Sequence, residues 1–212
     1  MLKLVIVSDT HTQGRSLVVP DGDVLIHCGD LTYRGTSVEL VGELNWFTSL
    51  PHKWKLLIAG NHDFGFQDHW RKQQLVNEFP QLIYLENSGV DIDGIKFWGS
   101  PVQPWFHDWA FQKQRGDELR EHWSKIPDVL DVLITHGPPS GFGDFNLRDE
   151  RFGDVDLLER VLVVKPQIHC YGHAHHGYGE YFHDGVHFIN AASCNEDYRP
   201  VNPPVVVDVS SR

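Results

Sequence analysis

Five short segments of the chain carry most of its chemically versatile side chains: Ser8-Asp9-Thr10-His11, Gly29-Asp30, Gly60-Asn61-His62-Asp63, His136-Gly137 and Gly172-His173-Ala174-His175. Together they offer Asp9, His11, Asp30, Asn61, His136, His173 and His175. This mixture of carboxylate, amide and imidazole suits borderline or hard divalent cations such as manganese, iron or zinc. No thiolate belongs to the set, which disfavours a closed structural zinc site. Two metals sharing one carboxylate would use all seven groups and leave positions open for water and substrate. Asp9 and His11 are two residues apart, so both side chains leave the same face if the chain stays extended. Glycines precede Asp30, Asn61 and His173. Glycine there permits a tight bend toward a metal, and it equally marks an ordinary turn.

Such segments need elements that end where they begin. Apolar runs rich in β-branched residues recur at Leu4 to Val7, Val24 to Cys28, Leu56 to Ala59, Val132 to Thr135, Ile168 to Tyr171, Phe188 to Ala191 and Val205 to Val209, and they read as buried strands. Helical patterns lie between several of them. The first opens at Thr36 with Glu39 in capping-box register and continues through Val41, Leu44 and Phe47. A second sets Leu119, Trp123 and Ile126 on one face. A third opens at Asp154 as N-cap, carries Leu157, Leu158, Val161 and Leu162, and stops before Pro166. Two hairpins are expected, Val90 to Trp98 turning at Asp93-Gly94 and Tyr178 to Ile189 turning at Asp184-Gly185. The sum is an α/β sandwich with a mixed sheet, read as a single domain over residues 1–212. In layered α/β proteins ligands bind at the carboxyl ends of strands, so the five polar segments are expected to converge there.

Composition narrows the partners. A formal net charge of -11 opposes the basic surface that duplex-binding proteins use against phosphate, so long nucleic acid is a poor substrate. Bound cations would still supply a local positive centre for a small phosphorylated ligand. Cys28, Cys170 and Cys194 stand far apart, and their odd number argues for a reducing compartment rather than a disulfide framework. The chain enters a strand-like run directly after Met1-Leu2-Lys3, and no apolar stretch approaches membrane-spanning length; a cytoplasmic protein without membrane contact is expected.

All five blocks, in order, resemble the calcineurin-like metallophosphoesterases, whose pattern is Asp-x-His, Gly-Asp, Gly-Asn-His-Asp/Glu, His, then Gly-His-x-His. A narrower similarity is to the small metallophosphoesterase-domain-containing subgroup, through Gly99-Ser100-Pro101, Pro104-Trp105-Phe106, Thr135-His136-Gly137-Pro138-Pro139 and Asn202-Pro203-Pro204. The resemblance implies a four-layered α/β/β/α sandwich with mixed sheets and a dinuclear metal centre. Two divalent ions are implied, with manganese the leading candidate and iron, zinc and magnesium as alternatives. Asp9, His11, Asp30 and His175 would hold one ion; Asp30, Asn61, His136 and His173 would hold the other. A hydroxide bridging the two would attack phosphorus while His62, not itself a ligand, protonates the leaving oxygen as general acid. The implied substrates are small phosphodiesters, with cyclic nucleotides foremost. A phosphomonoesterase or protein phosphatase, or a metal- or nucleotide-binding scaffold without catalysis, are the alternative readings.

Tyr33 stands where the protein-phosphatase branch has an aspartate that orients the histidine, which leaves the partner of His62 open, with Asp63 a minor candidate. Arg34 and Asn61 are the candidate substrate-binding residues; for Arg34 a solvated position before the helix is an equal alternative. The aromatic segment Trp105, Phe106, Trp109 and Phe111 reads either as core packing or as a surface for stacking a nucleobase. Asn190 and Ser193 read as turn residues more readily than as pocket lining, Cys194 as a small buried hydrophobe, and His176 as solvent-facing.

Overall fold

The computed structural model describes residues 1–211. Its first sheet contains β1 (Leu2–Val7), β2 (Val24–Cys28), β3 (Trp54–Ile58) and β4 (Leu82–Tyr84), joined at the end of the chain by β13 (Val205–Val209). The order is β13-β1-β2-β3-β4, antiparallel at β13 and parallel elsewhere. The second sheet contains β5 (Ser88–Ile92), β6 (Ile95–Ser100), β9 (Val132–Thr135), β10 (Ile168–Tyr171), β11 (Gly179–His183) and β12 (Val186–Asn190). Its order is β11-β12-β10-β9-β6-β5, with the two hairpins at the edges antiparallel and the centre parallel. Two short parallel strands, β7 (Gln103–Pro104) and β8 (Gln112–Lys113), bracket the aromatic segment.

Strand alternation explains the layering. Leu4, Ile6, Ile26 and Leu56 of the first sheet pack against Phe97, Val132, Cys170 and Ile189 of the second, forming the apolar layer between sheets. The opposite face of the first sheet, with Val5, Leu25 and Leu57, packs on Leu40, Leu44 and Phe47 of α1 (Ser37–Ser49) and Leu75 of α2 (His69–Glu78). Trp98, Leu133 and Phe188 on the outer face of the second sheet pack on Leu119 and Trp123 of α3 (Asp117–Trp123) and Leu157 and Val161 of α4 (Val155–Val164). The result is two mixed sheets between helical layers, as expected. Each fully buried aliphatic or aromatic side chain in these layers contributes about 1.5–3 kcal/mol.

The local signals act as read. At the start of α1 Thr36 Oγ1 accepts from Glu39 N at 3.3 Å and the Glu39 carboxylate accepts from Thr36 N at 3.0 Å. Thr36→Ala is therefore expected to lower stability by about 0.5–2 kcal/mol, read as a lower midpoint in thermal or urea unfolding; an unchanged midpoint would mean that tertiary packing alone holds the helix. Asp154 caps α4, its carboxylate also accepting from the Trp123 indole. The α4 pattern stops as predicted, with Lys165 in a left-handed cap at φ 49° before Pro166. Both hairpin turns take positive φ at Asp93-Gly94 (52°, 82°) and Asp184-Gly185 (48°, 83°), the twist that two-residue hairpins require.

Candidate metal centre

All five polar segments leave the carboxyl ends of β1, β2, β3, β9 and β10, and they meet where the ends of the two sheets lie together. A parallel bridge from Ser8 to Ala192 closes the sheets against each other there. The condition under which Asp9 and His11 would share a face, an extended chain, is not met: β1 stops at Val7, and Asp9 and His11 adopt φ 51° and 43°. Asp30 and His173 are left-handed too, at 54° and 67°. Such conformations cost about 1–3 kcal/mol each in non-glycine residues, and their clustering is typical of a functional site. Backbone bonds offset the cost: Asp9 N donates to Gly29 O and His11 N to Asp30 O, while His173 N donates to both Asp9 carboxylate oxygens at 3.0 and 2.9 Å.

The side chains form overlapping triads, Asp9 with His11 and His175, His11 with Asp30 and His62, and Asp30 with His136 and His173. Asp30 belongs to two of them through different oxygens: Oδ2 lies 3.8 Å from His11 Nε2 and Oδ1 lies 3.4 Å from His136 Nε2. His175 Nε2 is 3.5 Å from Asp9 Oδ1, and Asn61 Oδ1 is 2.9 Å from His136 Nε2. Carbonyl oxygens only accept, so the bonds of His11 Nδ1 to Thr32 O, His136 Nδ1 to Cys28 O and His175 Nδ1 to Asn195 O place a hydrogen on each Nδ1. Every Nε2 thus aims at the centre. That is the backbone anchoring that metal-ligating histidines use to fix their tautomer.

The donor set fits cations. His11 Nε2 and His175 Nε2 face each other at 3.2 Å, and His136 Nε2 faces the Asn61 oxygen, so lone pairs oppose lone pairs unless something positive lies between them. Two such clusters sharing one carboxylate imply a dinuclear centre. Protons are the competitors. Burial alone would push His136 and His175 down, yet the Asp30 and Asp9 carboxylates beside them raise both from 6.5 to about 9. His11 and His173 are held neutral, lowered by burial to about 4 and about 3. Burial acts to raise Asp9 and Asp30, but the neighbouring histidines outweigh it and hold both below the usual carboxylate range.

A pH dependence follows from the sign of these shifts. With histidine pKa values raised above 6.5, the stabilisation from His136 and His175 is complete below that pH and is lost as pH rises through about 9. The lowered carboxylates stay ionised throughout that window and do not alter it. Chelated protein is therefore expected to melt progressively lower between pH 6.5 and 9, and added zinc or magnesium to remove that slope while displacing protons. A melting temperature independent of pH in the chelated protein would contradict the pairing.

His62 is buried at 7% exposure, with Nδ1 2.7 Å from the Tyr33 carbonyl oxygen. That bond leaves Nε2 to face the site and supplies the orienting group that the sequence left open. Asp63 does not orient the ring. Its carboxylate accepts from Gly60 N, Leu31 N, Thr32 N and the Thr32 hydroxyl, tying the loop after β2 to the loop after β3. Burial and the nearby Asp30 push Asp63 up to about 6. His62 N in turn donates to Asp30 Oδ1 at 2.8 Å, so the base of the loop and the shared carboxylate are mechanically one unit.

Two glycines are required by close approach. A Cβ on Gly172 would lie 1.9 Å from Asp9 Oδ2, and one on Gly60 2.2 Å from Asp30 Oδ1. Gly172→Ala is expected to weaken divalent-cation affinity by at least tenfold, since the carboxylate must move by more than an ångström (roughly 1.4 kcal/mol per decade). Calorimetric titration of the chelated protein measures this; wild-type affinity would show that the strand end yields instead.

A cavity of about 170 Å3 opens over the centre, lined by Asn61, His62, Phe106, Trp109, Glu196 and Tyr198 among others. Glu196 and Tyr198 belong to no sequence motif, and sequence reasoning misses both. Tyr198 sits edge-on to His11 at 4.8 Å between ring centroids, from a loop held by Asn195, whose carbonyl anchors His175. The only forward signal would have been a Tyr in a loop after a strand end. Trp109 packs on His62 at 4.4 Å and Phe106 on His173 at 5.2 Å, whereas Phe111 packs toward the core. Arg34 is exposed, its guanidinium over the Tyr33 ring at 5.9 Å. His176 is exposed as expected, and Asn190 is buried and clamps the loops at Gly143 and Ala174. Cys28, Cys170 and Cys194 are free and buried.

Comparison with known proteins places this geometry in context. Residues 2–177 match the model described as calcineurin-like phosphoesterase. Metallophosphoesterase domain-containing protein 1 of Homo sapiens is 39% identical over 230 residues, a match spanning 98% of this chain and 71% of that protein. A UPF0046 protein of Caenorhabditis elegans is 40% identical over 218 residues, spanning 97% of this chain and 74% of that one. Among solved structures, the TT1561 protein of Thermus thermophilus superposes with a TM-score of 0.64 at 10% identity, covering 91% of this chain and 89% of that chain, a likeness of fold.

Proposed function

The chain belongs to the calcineurin-like phosphoesterase family, and on that premise we propose that it hydrolyses small phosphodiesters, cyclic nucleotides foremost, with a pair of divalent cations. A metal-dependent hydrolase is what the dinuclear cluster and the fold support together. In this reading Asp9, His11, Asp30 and His175 hold one cation, and Asp30, Asn61, His136 and His173 hold the other. The observation that carries it is the division of Asp30, whose two oxygens face two different histidines. When bound, the cations supply charge against the phosphoryl oxygens and acidify a water that serves as nucleophile near neutral pH; manganese is the proposed occupant in vitro.

The chain's own residues do the rest. The Tyr33 carbonyl fixes a hydrogen on Nδ1, so His62 can donate from Nε2 only as the imidazolium; in that form it delivers the Nε2 proton to the departing alkoxide and returns to the neutral Nδ1–H tautomer. Asn61 presents its amide toward the same cavity as His62, where it orients a phosphoryl oxygen. Trp109 and Phe106 cover one side of the cavity and reduce access of bulk water. Arg34 contributes to phosphate binding from the rim in this proposal. The protein acts as a single domain over residues 1–212 in the cytoplasm. No helix among the described residues is long and apolar enough to cross a membrane.

A panel of aryl phosphomonoesters and phosphodiesters assayed with manganese tests the choice of substrate. Faster turnover of the diester is expected. A monoester preference would overturn the diester reading and leave the metal centre standing.

A further inference from the structure

The cavity over the metal centre, at about 170 Å3, accommodates a phosphoryl group but not the remainder of a nucleotide. A larger cavity of about 470 Å3 adjoins it, sharing Phe106, His173 and Glu196 and walled further by Trp105, Phe152 and Arg115. Resting on the phosphodiesterase reading above, we propose that this second cavity is the seat of a planar heteroaromatic base on the substrate, with Trp105 as its stacking surface.

Three features support a recognition surface rather than leftover core. Trp105 is 51% exposed and, among the described residues, makes no ring contact, whereas the exposed Trp70 leans on His69. A large indole left uncovered on a cavity wall beside the reacting centre offers a π-face to a ligand. The Phe152 side is built in advance. The Arg115 guanidinium donates to the carbonyls of Phe152 and Gly153, and Arg151 pairs with the buried Asp144, fixing the loop that carries Phe152. Phe152 and Phe106 both pack on the His173 ring, at 5.6 and 5.2 Å, so the aromatic wall continues to a predicted metal ligand. The same cavity holds Asn146 and Glu150, bonded to each other at 2.8 Å, a polar edge suited to the nitrogen and carbonyl groups of a base.

The neighbouring cavity on the His175 side lacks this character. Its wall combines Asn195, Glu196, Asp197 and Asn202 with Leu147, His176 and Tyr178, so it gathers carboxylate and amide groups and offers no indole face.

The test compares a nucleoside 2′,3′-cyclic phosphate with the cyclic phosphate of propane-1,2-diol, which has the same five-membered diester and no base, by phosphorus NMR. Trp105→Ala is expected to lower the ratio of kcat/KM values, nucleotide over base-free diester, by about 5-fold to 150-fold, with the loss in KM, and Trp105→Phe to recover most of it. An equal fall on both substrates would overturn the proposal. A second measurement separates it from the phosphodiesterase reading: binding of a nucleoside 5′-monophosphate to magnesium-loaded protein, by calorimetry. Weaker binding in Trp105→Ala supports the base seat even if neither diester is hydrolysed, and unchanged affinity overturns it.

Discussion

Asp30→Asn is expected to reduce metal-dependent hydrolysis to background while leaving the fold intact. Among the described residues the carboxylate is the one member common to the His11–Asp30–His62 and Asp30–His136–His173 triads, with one oxygen toward His11 and the other toward His136. An amide offers one good acceptor oxygen and no charge. It can serve one cluster and leaves the other short of a ligand, so the cation affinity of one position falls steeply and the paired charge is lost. Metal analysis after dialysis should find fewer than two ions per chain, and activity should fall at least about 1,000-fold, comparable to loss of a principal electrostatic element. Wild-type activity in this variant would remove Asp30 from the centre of the mechanism.

His62→Ala is expected to act differently. His62 contributes a proton rather than a metal site in the proposed mechanism, so metal content should stay at the wild-type level while kcat falls about 100-fold to 10,000-fold. The loss should be smaller for a diester with a good leaving group, such as a nitrophenolate, which departs without a proton. His62 also belongs to a triad with His11 and Asp30. A variant that lost a metal ion along with activity would therefore move His62 from the acid's role into the ligand set. The two substitutions separate the parts of the site, since one removes the charge that holds the cations together and the other removes the proton donor beside them.

Much of this arrangement is legible in the sequence because its signals are local. The seven metal-binding candidates sit just after strand-like runs, and the strands over Val24–Cys28, Val132–Thr135, Ile168–Tyr171 and Val205–Val209 begin and end where their β-branched runs do. Thr36, Asp154 and the two Asp-Gly turns do what their chemistry dictates. Other features carry no such signal. The helix His69–Glu78 escapes the sequence reading because it buries only Leu75 and is otherwise polar, so its periodicity is faint. Spacing puts Ile126 on a helical face, but that helix ends at Trp123; the residue joins the same apolar cluster from the turn beyond.

The departures at the site have a common physical origin. An extended Asp9 and His11 is the natural inference from a strand end, and the left-handed turn that replaces it is stabilised by bonds to Gly29 and Asp30, residues distant in sequence. The partner of His62 is a main-chain carbonyl, which has no residue signature, so searching for a carboxylate could not find it. Asp63, the carboxylate nearest in sequence, is consumed by three backbone amides and a hydroxyl. Tyr198 and Phe152 reach the site from loops whose paths depend on Asn195, Asp144 and Arg115. Tertiary context alone decides those paths.

Anomalous diffraction from crystals soaked in manganese addresses the shared carboxylate directly. Two manganese peaks are expected, about 3.5–4 Å apart, with the Asp30 side chain within bonding distance of both. A single peak, or a pair of which Asp30 touches only one member, would contradict it.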